Sequence, residues 1–320
     1  MSNALADTLH GHRADCVQWL AVCDYSPRTV HTYDLNLREF CDWVGGKEEL
    51  KELSDLTTSA LQNYLIHLSL RSTKKTRRGR GRSKKTFLSG SSKQCHIAAL
   101  LQLFSYLVKG GFLLSNPTHE LERPRKRKSL PRDILSVQEM FQILAAVKGA
   151  TPVALRDKAA LELLYTTGAR RAEMESLTLG SLRLEERLVL IDGKGGRERL
   201  VPVGEEATRV LREYLELGRP EFSANGTNAL FLSRRGGPMT GYSLLYLLKK
   251  LAKQLNINKN IGIHTVRHSC ATHMLQSGAD IRYIQELLGH VSLKTTQIYT
   301  RVETSDLKKM IQKCHPREQF

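Results

Sequence analysis

The 320 residues contain no apolar run of about 18 or more, the length a helix needs to cross a bilayer, which excludes a membrane-spanning helix. The six cysteines (Cys16, Cys23, Cys41, Cys95, Cys270 and Cys314) include no C-x-x-C pair, so a zinc or disulfide framework is disfavoured and reduced thiols in a cytosol are expected. The opening stretch MSNALADTLHGHRADC carries acids and lacks a basic start followed by an apolar core, so no secretory signal is expected. No G-x-x-x-x-G-K-[ST] loop occurs, which removes support for a nucleoside triphosphatase. Acids are scarce as well: 32 Asp and Glu stand against 49 Lys and Arg, a formal net charge of +17. Such a charge draws a protein to a polyanion, either nucleic acid or an anionic membrane surface. The remaining balance, 41% hydrophobic and 25% charged, is that of a soluble globular chain and excludes a disordered or fibrous one.

The positive charge is concentrated. Residues 71–85 (RSTKKTRRGRGRSKK) hold nine basic side chains and no acid, and residues 122–132 (ERPRKRKSLPR) hold six against one, so the two runs carry +14 of the +17. Solvated surface explains one such run; two, both in poor helix or strand formers, point to DNA phosphates, contacted in a salt-dependent way that carries no sequence information. Lys74, Lys75, Arg77, Arg78, Arg80 and Arg82 in the first run, and Arg125, Lys126, Arg127 and Lys128 in the second, are the candidate contacts. Pro117, Pro124 and Pro131 prevent a continuous helix through the second run. It reads as a basic linker, 121–132, between a domain at 1–120 and another at 133–320.

Periodicity makes the fold mainly α with a small β-sheet. In the first domain a helix is expected from Ala14 to Val22, and another behind the Ser26-Pro27 cap through Val30, Leu35, Leu37 and Phe40. A third starts at Thr57 or Thr58, and a fourth is capped by Ser92 and ended by Gly110-Gly111. Trp19, Trp43, Phe104 and Tyr106 read as core. In the second domain Ser136 caps a helix, another spans RDKAALELLYTTG, and Leu188–Ile191 and Glu198–Val203 form a hairpin around DGKGGR.

Four clusters in the second domain offer chemistry. In Thr167-Gly168-Ala169-Arg170-Arg171-Ala172-Glu173, Gly168 ends one helix and Arg170 opens the next, which favours an anion. Lys194, between Gly193 and Gly195, is either an exposed turn lysine or a mobile proton donor. In Ile263-His264-Thr265-Val266-Arg267-His268, Thr265 is the expected N-cap, which puts His264 just before a helix and Arg267 in its first turn. The fourth cluster is Leu287-Leu288-Gly289-His290, with Tyr299 shortly after on a short helix capped by Ser292. A metal reading is disfavoured: His268 and His273 lie about 500° apart around a helix, and no carboxylates or cysteines stand at ligand spacing.

The ordered set Arg170, Lys194, His264-x-x-Arg267, His290, Tyr299 resembles the tyrosine recombinase (phage integrase) family and, within it, Xer-type site-specific recombinases. The resemblance covers nearly the whole chain, including Leu155–Ala159, Tyr165–Glu173, Glu198–Pro202, His264–His273, Gly278–Asp280 and Thr295–Thr300. It implies an N-terminal SAM-like helical core-binding bundle and a mixed α/β catalytic domain closing as a C-shaped clamp on DNA. Tyr299 would be the nucleophile forming a 3′-phosphotyrosyl link. Arg170 and Arg267 would hold the phosphate, Lys194 would be the general acid, His264 would assist proton transfer, and His290 would bond the phosphate. Glu173 would orient neighbouring groups. The resemblance implies no cofactor and no metal. It implies double-stranded DNA with paired inverted-repeat core sites, a homotetramer or heterotetramer, and a second recombinase or a DNA translocase as further partners.

His264 follows Lys194 by 70 residues, which leaves no room for the extra helix of integron integrases. The basic run 71–85 is longer than the matching Xer loop, so a transposon- or plasmid-borne enzyme and a chromosome-dimer resolvase are both open. A cytoplasmic, nucleoid-associated location is expected. The C-terminal segment, with Leu307, Met310 and Ile311 at helical spacing, fits an ordinary packed helix, but the resemblance implies docking on a neighbouring protomer, and that role is the one expected. The rival readings are a DNA-binding protein without recombination activity and a type IB-like DNA-relaxing enzyme.

Overall fold

The computed structural model describes residues 4–74, 85–122, 133–193, 196, 198–222, 226–289 and 304–318. Contacts divide the chain into two units, Met1–Ser129 and Leu130–Phe320.

The first unit is built on four helices: α1 (Ala4–Val22), α2 (Pro27–Gly45), α3 (Thr58–Leu70) and α4 (Gly90–Lys109). Helix α1 begins ten residues before the expected Ala14, because Leu5 and Leu9 continue the buried face of Cys16 and Leu20. Ser26 caps α2, its hydroxyl accepting from the Thr29 N–H at 3.2 Å with Pro27 in the first turn. Leu35, counted with the apolar positions of this helix, is exposed. Of the two candidate threonines, Thr57 caps α3. The cap of α4 is Ser89, accepting from the Ser92 N–H at 3.1 Å, and not Ser92 itself. Ser89-Gly90-Ser91-Ser92 offers three possible caps, and only the first leaves both later serines inside the first turn.

Phe40, Tyr64 and Phe104 fill the centre of this unit, and Trp19, Trp43 and Tyr106 pack against it, as expected of core aromatics. Two short strands, β1 (Ser72–Lys74) and β2 (Lys85–Phe87), pair antiparallel with Lys74 opposite Lys85. The ends of the first basic run are therefore extended, in contrast to the irregular segment expected. Thr73 and Thr86, both β-branched, occupy the middle register positions of that pairing.

In the second unit, α5 (Val137–Ala145) starts at Ser136 with a capping box to Glu139, and α6 (Pro152–Thr167) starts at Thr151. Helix α6 is buried on nearly all sides, and the remaining elements of the unit follow it in the chain. They are α7 (Arg171–Ser176), strands β3 (Leu182–Arg183), β4 (Leu188–Asp192) and β5 (Glu198–Pro202), and helices α8 (Glu205–Glu213), α9 (Gly241–Gln254), α10 (Ile263–Gln276), α11 (Ile281–Leu288) and α12 (Thr304–Cys314). The sheet has antiparallel order β3-β4-β5, with Asp192 opposite Glu198 across the expected hairpin. Strand β3, only two residues long, gave no periodic signal.

Two expectations are corrected here. Helix α10 begins at Ile263 after Gly262, so Thr265 is its third residue and not its cap. The Thr265 hydroxyl instead accepts from the Gly262 N–H at 3.2 Å and reaches back to the Asn260 carbonyl, which lets the helix start earlier. His264 thus lies within the first turn, and Arg267 in the second. Helix α12 turns Leu307, Met310, Ile311 and Cys314 into the core of its own unit, beside β5 and α11, where a neighbouring protomer had been expected to receive it. The four apolar positions form one stripe, and burial in the same chain carries no cost of association. No helix among the described residues is long and apolar enough to cross a membrane.

Candidate active site

Helix α6 stops at Gly168, whose φ of 57° is left-handed. A Cβ there would lie 2.6 Å from a Leu288 methyl group, so both the conformation and the close approach of α11 require glycine. The chain then turns through buried Ala169 to Arg170, the N-cap of α7. Glu173, three residues on and 3% exposed, accepts from the Arg170 N–H at 2.8 Å and from Arg170 Nη1 at 2.6 Å.

Opposite this turn, α11 ends at Gly289, also left-handed with φ of 62°. The last carbonyls of a helix have no partner within it. Here three arginines from three different elements supply partners to three consecutive ones. Arg199 Nε on β5 donates to the Leu287 carbonyl at 3.0 Å, Arg267 Nη2 on α10 to Leu288 at 2.6 Å, and Arg170 Nη2 to Gly289 at 3.0 Å. Arg267 also donates through Nη1 to the Gly168 carbonyl at 2.8 Å, tying the ends of α6 and α11 together. Arg199 closes the cluster by a two-pronged contact to Glu173, at 2.8 and 3.2 Å. The negative end of the α11 dipole favours the same cations.

Three guanidiniums against one carboxylate leave this cluster with a net charge of +2. Burial, and then the like charge of Arg170, lower Arg267 from 12.5 to about 10, so it stays a cation at neutral pH but in an unfavourable surrounding. Burial alone would raise Glu173; the bonds from Arg199 and Arg170 outweigh it and hold the carboxyl at about 2. A buried excess of guanidinium, with Arg170 about a third exposed, is a site that an oxyanion would complete.

The depressed Glu173 carboxyl contributes stability above its ordinary pKa of 4.5, and that contribution is lost as pH falls toward 2. It amounts to about 3 kcal/mol. Unfolding of the parent chain is therefore expected to lose more stability between pH 6 and 2.5 than that of the Glu173→Gln variant. Parallel pH dependences would remove the assignment.

The structure brings Arg170, Glu173 and Arg267 together and puts His264 three residues before Arg267 on the same side of α10, exposed. Lys194, His290 and Tyr299 lie outside the described residues: Lys194 in the segment joining β4 to β5, His290 next after Gly289, and Tyr299 between α11 and α12. Lys75, Arg77, Arg78, Arg80, Arg82, Arg125, Lys126, Arg127 and Lys128 also lie outside them, and Lys74 ends β1. His273 is a core residue. Its Nδ1 meets the Tyr165 hydroxyl at 2.8 Å and its Nε2 the Leu135 carbonyl at 2.8 Å, so neither ring nitrogen is left for a ligand. Arg199, a member of the site, had appeared in the sequence only as part of the matched stretch Glu198–Pro202.

Residues 133–306 match the model of the phage integrase family. The chain is 36% identical over 295 residues to tyrosine recombinase XerD of Corynebacterium glutamicum, covering 91% of this chain and 93% of that one. It is 38% identical over 298 residues to tyrosine recombinase XerC 2 of Ralstonia nicotianae, covering 93% and 83%. Among solved structures, XerH site-specific recombinase bound to its difH substrate in a pre-cleavage complex aligns with a TM-score of 0.63 at 23% identity, over 82% of this chain and 74% of that one. This last likeness is one of fold.

Proposed function

The chain belongs to the phage integrase family and is a tyrosine-type site-specific DNA recombinase, and from that premise we propose how its residues divide the work. The observation that carries the reading is the buried +2 cluster of Arg170, Arg199, Arg267 and Glu173, built around the helix end from which the segment holding His290 and Tyr299 departs. Arg170 and Arg267 hold the non-bridging oxygens of a DNA phosphodiester. The Tyr299 hydroxyl oxygen attacks phosphorus, a bond forms from that oxygen to the 3′-phosphate, and the bond to the 5′ oxygen breaks.

The phenolic proton leaves with the help of His264, and Lys194 gives a proton to the departing 5′ oxygen, which becomes a hydroxyl. His290 bonds the phosphate. A phenol of pKa about 10 is a weak nucleophile at neutral pH, so the charge that builds in the transition state has to be met by fixed cations. The phosphotyrosine retains the energy of the broken ester, so a 5′-hydroxyl from a second strand rejoins it without a nucleotide cofactor.

Around this centre the N-terminal domain contacts the core site, and the basic residues of runs 71–85 and 122–132 neutralise backbone phosphates of the duplex. Two inverted-repeat sites, brought together by a homotetramer or by a tetramer shared with a second recombinase, supply the exchanging strands. The location is the cytoplasm, on the nucleoid.

Covalent capture tests the proposal. Protein-linked DNA recovered from denatured cell lysates and sequenced should give reproducible ends at an inverted-repeat site, and Tyr299→Phe should give none. Scattered ends would favour a relaxing enzyme. DNA binding without any adduct would leave only a DNA-binding protein.

A further inference from the structure

Arg199 has no role in the chemistry above, yet its guanidinium is the most fully engaged in the site. It is about one-tenth exposed, its β5 backbone is paired with Ile191 of β4, and all three of its nitrogens donate: Nε to the Leu287 carbonyl, Nη1 and Nη2 to the two oxygens of Glu173. Gly289 packs directly on it, since a Cβ there would come within 3.1–3.2 Å of the guanidinium. The planar fork fixes the plane of the Glu173 carboxylate as well as its charge.

Glu173 in turn is a partner of Arg170, at 2.6 Å. Were Arg199 absent, both carboxylate oxygens would be open to Arg170, which could swing into a two-pronged pair of its own. Its charge would then be spent on Glu173, and its donors turned inward. We propose that Arg199 is a positioning residue for strand cleavage: by pairing with Glu173 and anchoring on the Leu287 carbonyl, it leaves the Arg170 charge and its remaining N–H groups to the scissile phosphate. Mere neutralisation of a buried acid does not account for the arrangement, because Arg170 already gives Glu173 two bonds, from its side chain and its backbone N–H. That Arg199 is the stronger influence holding the Glu173 carboxyl low agrees with this division of labour.

The inference rests on the assignment of Arg170 to the phosphate, and the experiment separates the two. Single-turnover formation of the covalent adduct is measured on a duplex carrying the captured site, once with its natural scissile phosphodiester and once with a methylphosphonate there. The methylphosphonate has no negative non-bridging oxygen, so it has little use for the Arg170 charge. On the phosphodiester, Arg199→Ala should be slower by about ten- to a hundredfold, with Arg199→Lys between it and the parent. On the methylphosphonate, the loss should shrink to about threefold or less, following Arg170→Ala measured alongside.

Equal losses on both substrates would make Arg199 a residue of the fold alone and overturn the proposal, as would full activity of both variants on the phosphodiester. Thermal melts accompany the rates, and unfolding of both Arg199 variants would overturn it as well. If Arg170→Ala itself loses equally on both substrates, the Arg170 assignment fails and the inference falls with it. If only the Arg199 variants do so, the assignment stands and the inference alone fails.

Discussion

Replacing Arg267 with alanine should slow strand cleavage by about a thousandfold or more, the scale of losing one preorganised cation from a phosphoryl-transfer site. The expectation follows from where the residue sits. Arg267 is 5% exposed, and its Nη1 and Nη2 are committed to the Gly168 and Leu288 carbonyls, so its remaining N–H groups have a fixed direction. Its pKa, lowered to about 10 by burial and by Arg170, says that the folded protein pays to keep this cation where it is. In the proposed mechanism an arriving phosphate offsets that cost. Lysine at this position should recover little, because one ammonium cannot span two carbonyls on different helices and a phosphate oxygen as well. Single-turnover adduct formation checks the rate, and DNA retention at matched salt checks that binding persists. A loss of tenfold or less in cleavage, about 1.4 kcal/mol, would remove Arg267 from the centre of the chemistry.

The largest effect on stability is expected outside the arginine cluster, at Arg317. The carboxylate of Glu162, in the middle of α6 and 1% exposed, is met by Arg317 Nη2 at 2.6 Å and Nε at 3.0 Å. Arg317 lies in the short turn Pro316–Glu318 after α12, where it also covers the Phe141 ring, while Glu318 accepts from the Glu205 N–H at the start of α8. Arg317→Ala would leave a buried carboxyl without its cation, at a cost of about 3–5 kcal/mol. For a unit of this size that lowers the melting temperature by roughly 10 °C. Burial already raises the Glu162 pKa despite Arg317, and without the arginine it would rise further. The deficit should therefore be full at neutral pH and shrink in acid, as the unpaired carboxyl takes up a proton. Glu162→Leu with Arg317→Leu should recover most of the loss, since an apolar pair leaves no stranded charge. A melt of Arg317→Ala within about a degree of the parent would show that the pair contributes little.

These two arginines show what a linear reading reaches and what it does not. The turn Gly168–Glu173 was legible because each feature is local: a glycine that ends a helix, an arginine that opens the next, and an acid three residues on. Motif position assigns Arg170 and not Arg171 to the proposed phosphate contact; in the structure Arg171 turns away to lie over the Tyr242 ring, 4.6 Å from its centre. Thr265 was misread as a cap because threonine is a strong capping residue, and a glycine three positions earlier does the same work with the threonine hydroxyl folded back onto it.

Arg199 follows Glu198 at the polar start of β5, ahead of the apolar Leu200-Val201-Pro202, a position that fits an exposed side chain equally well. Only the approach of α11, 88 residues further on, turns it inward. Glu162 and Arg317 stand 155 residues apart, and no spacing rule links them. Helix α12 had the right apolar stripe, but a stripe does not state which chain covers it.

The most direct measurement is to digest the captured protein–DNA adduct and identify by mass spectrometry the residue that carries nucleotide and the bond that holds it. The predicted result is a nucleotide 3′-phosphate on the Tyr299 oxygen, in the peptide between Lys294 and Arg301, with a free 5′-hydroxyl on the other fragment. Nucleotide on any other residue, or a 5′-phosphate link, would contradict the mechanism at its first step.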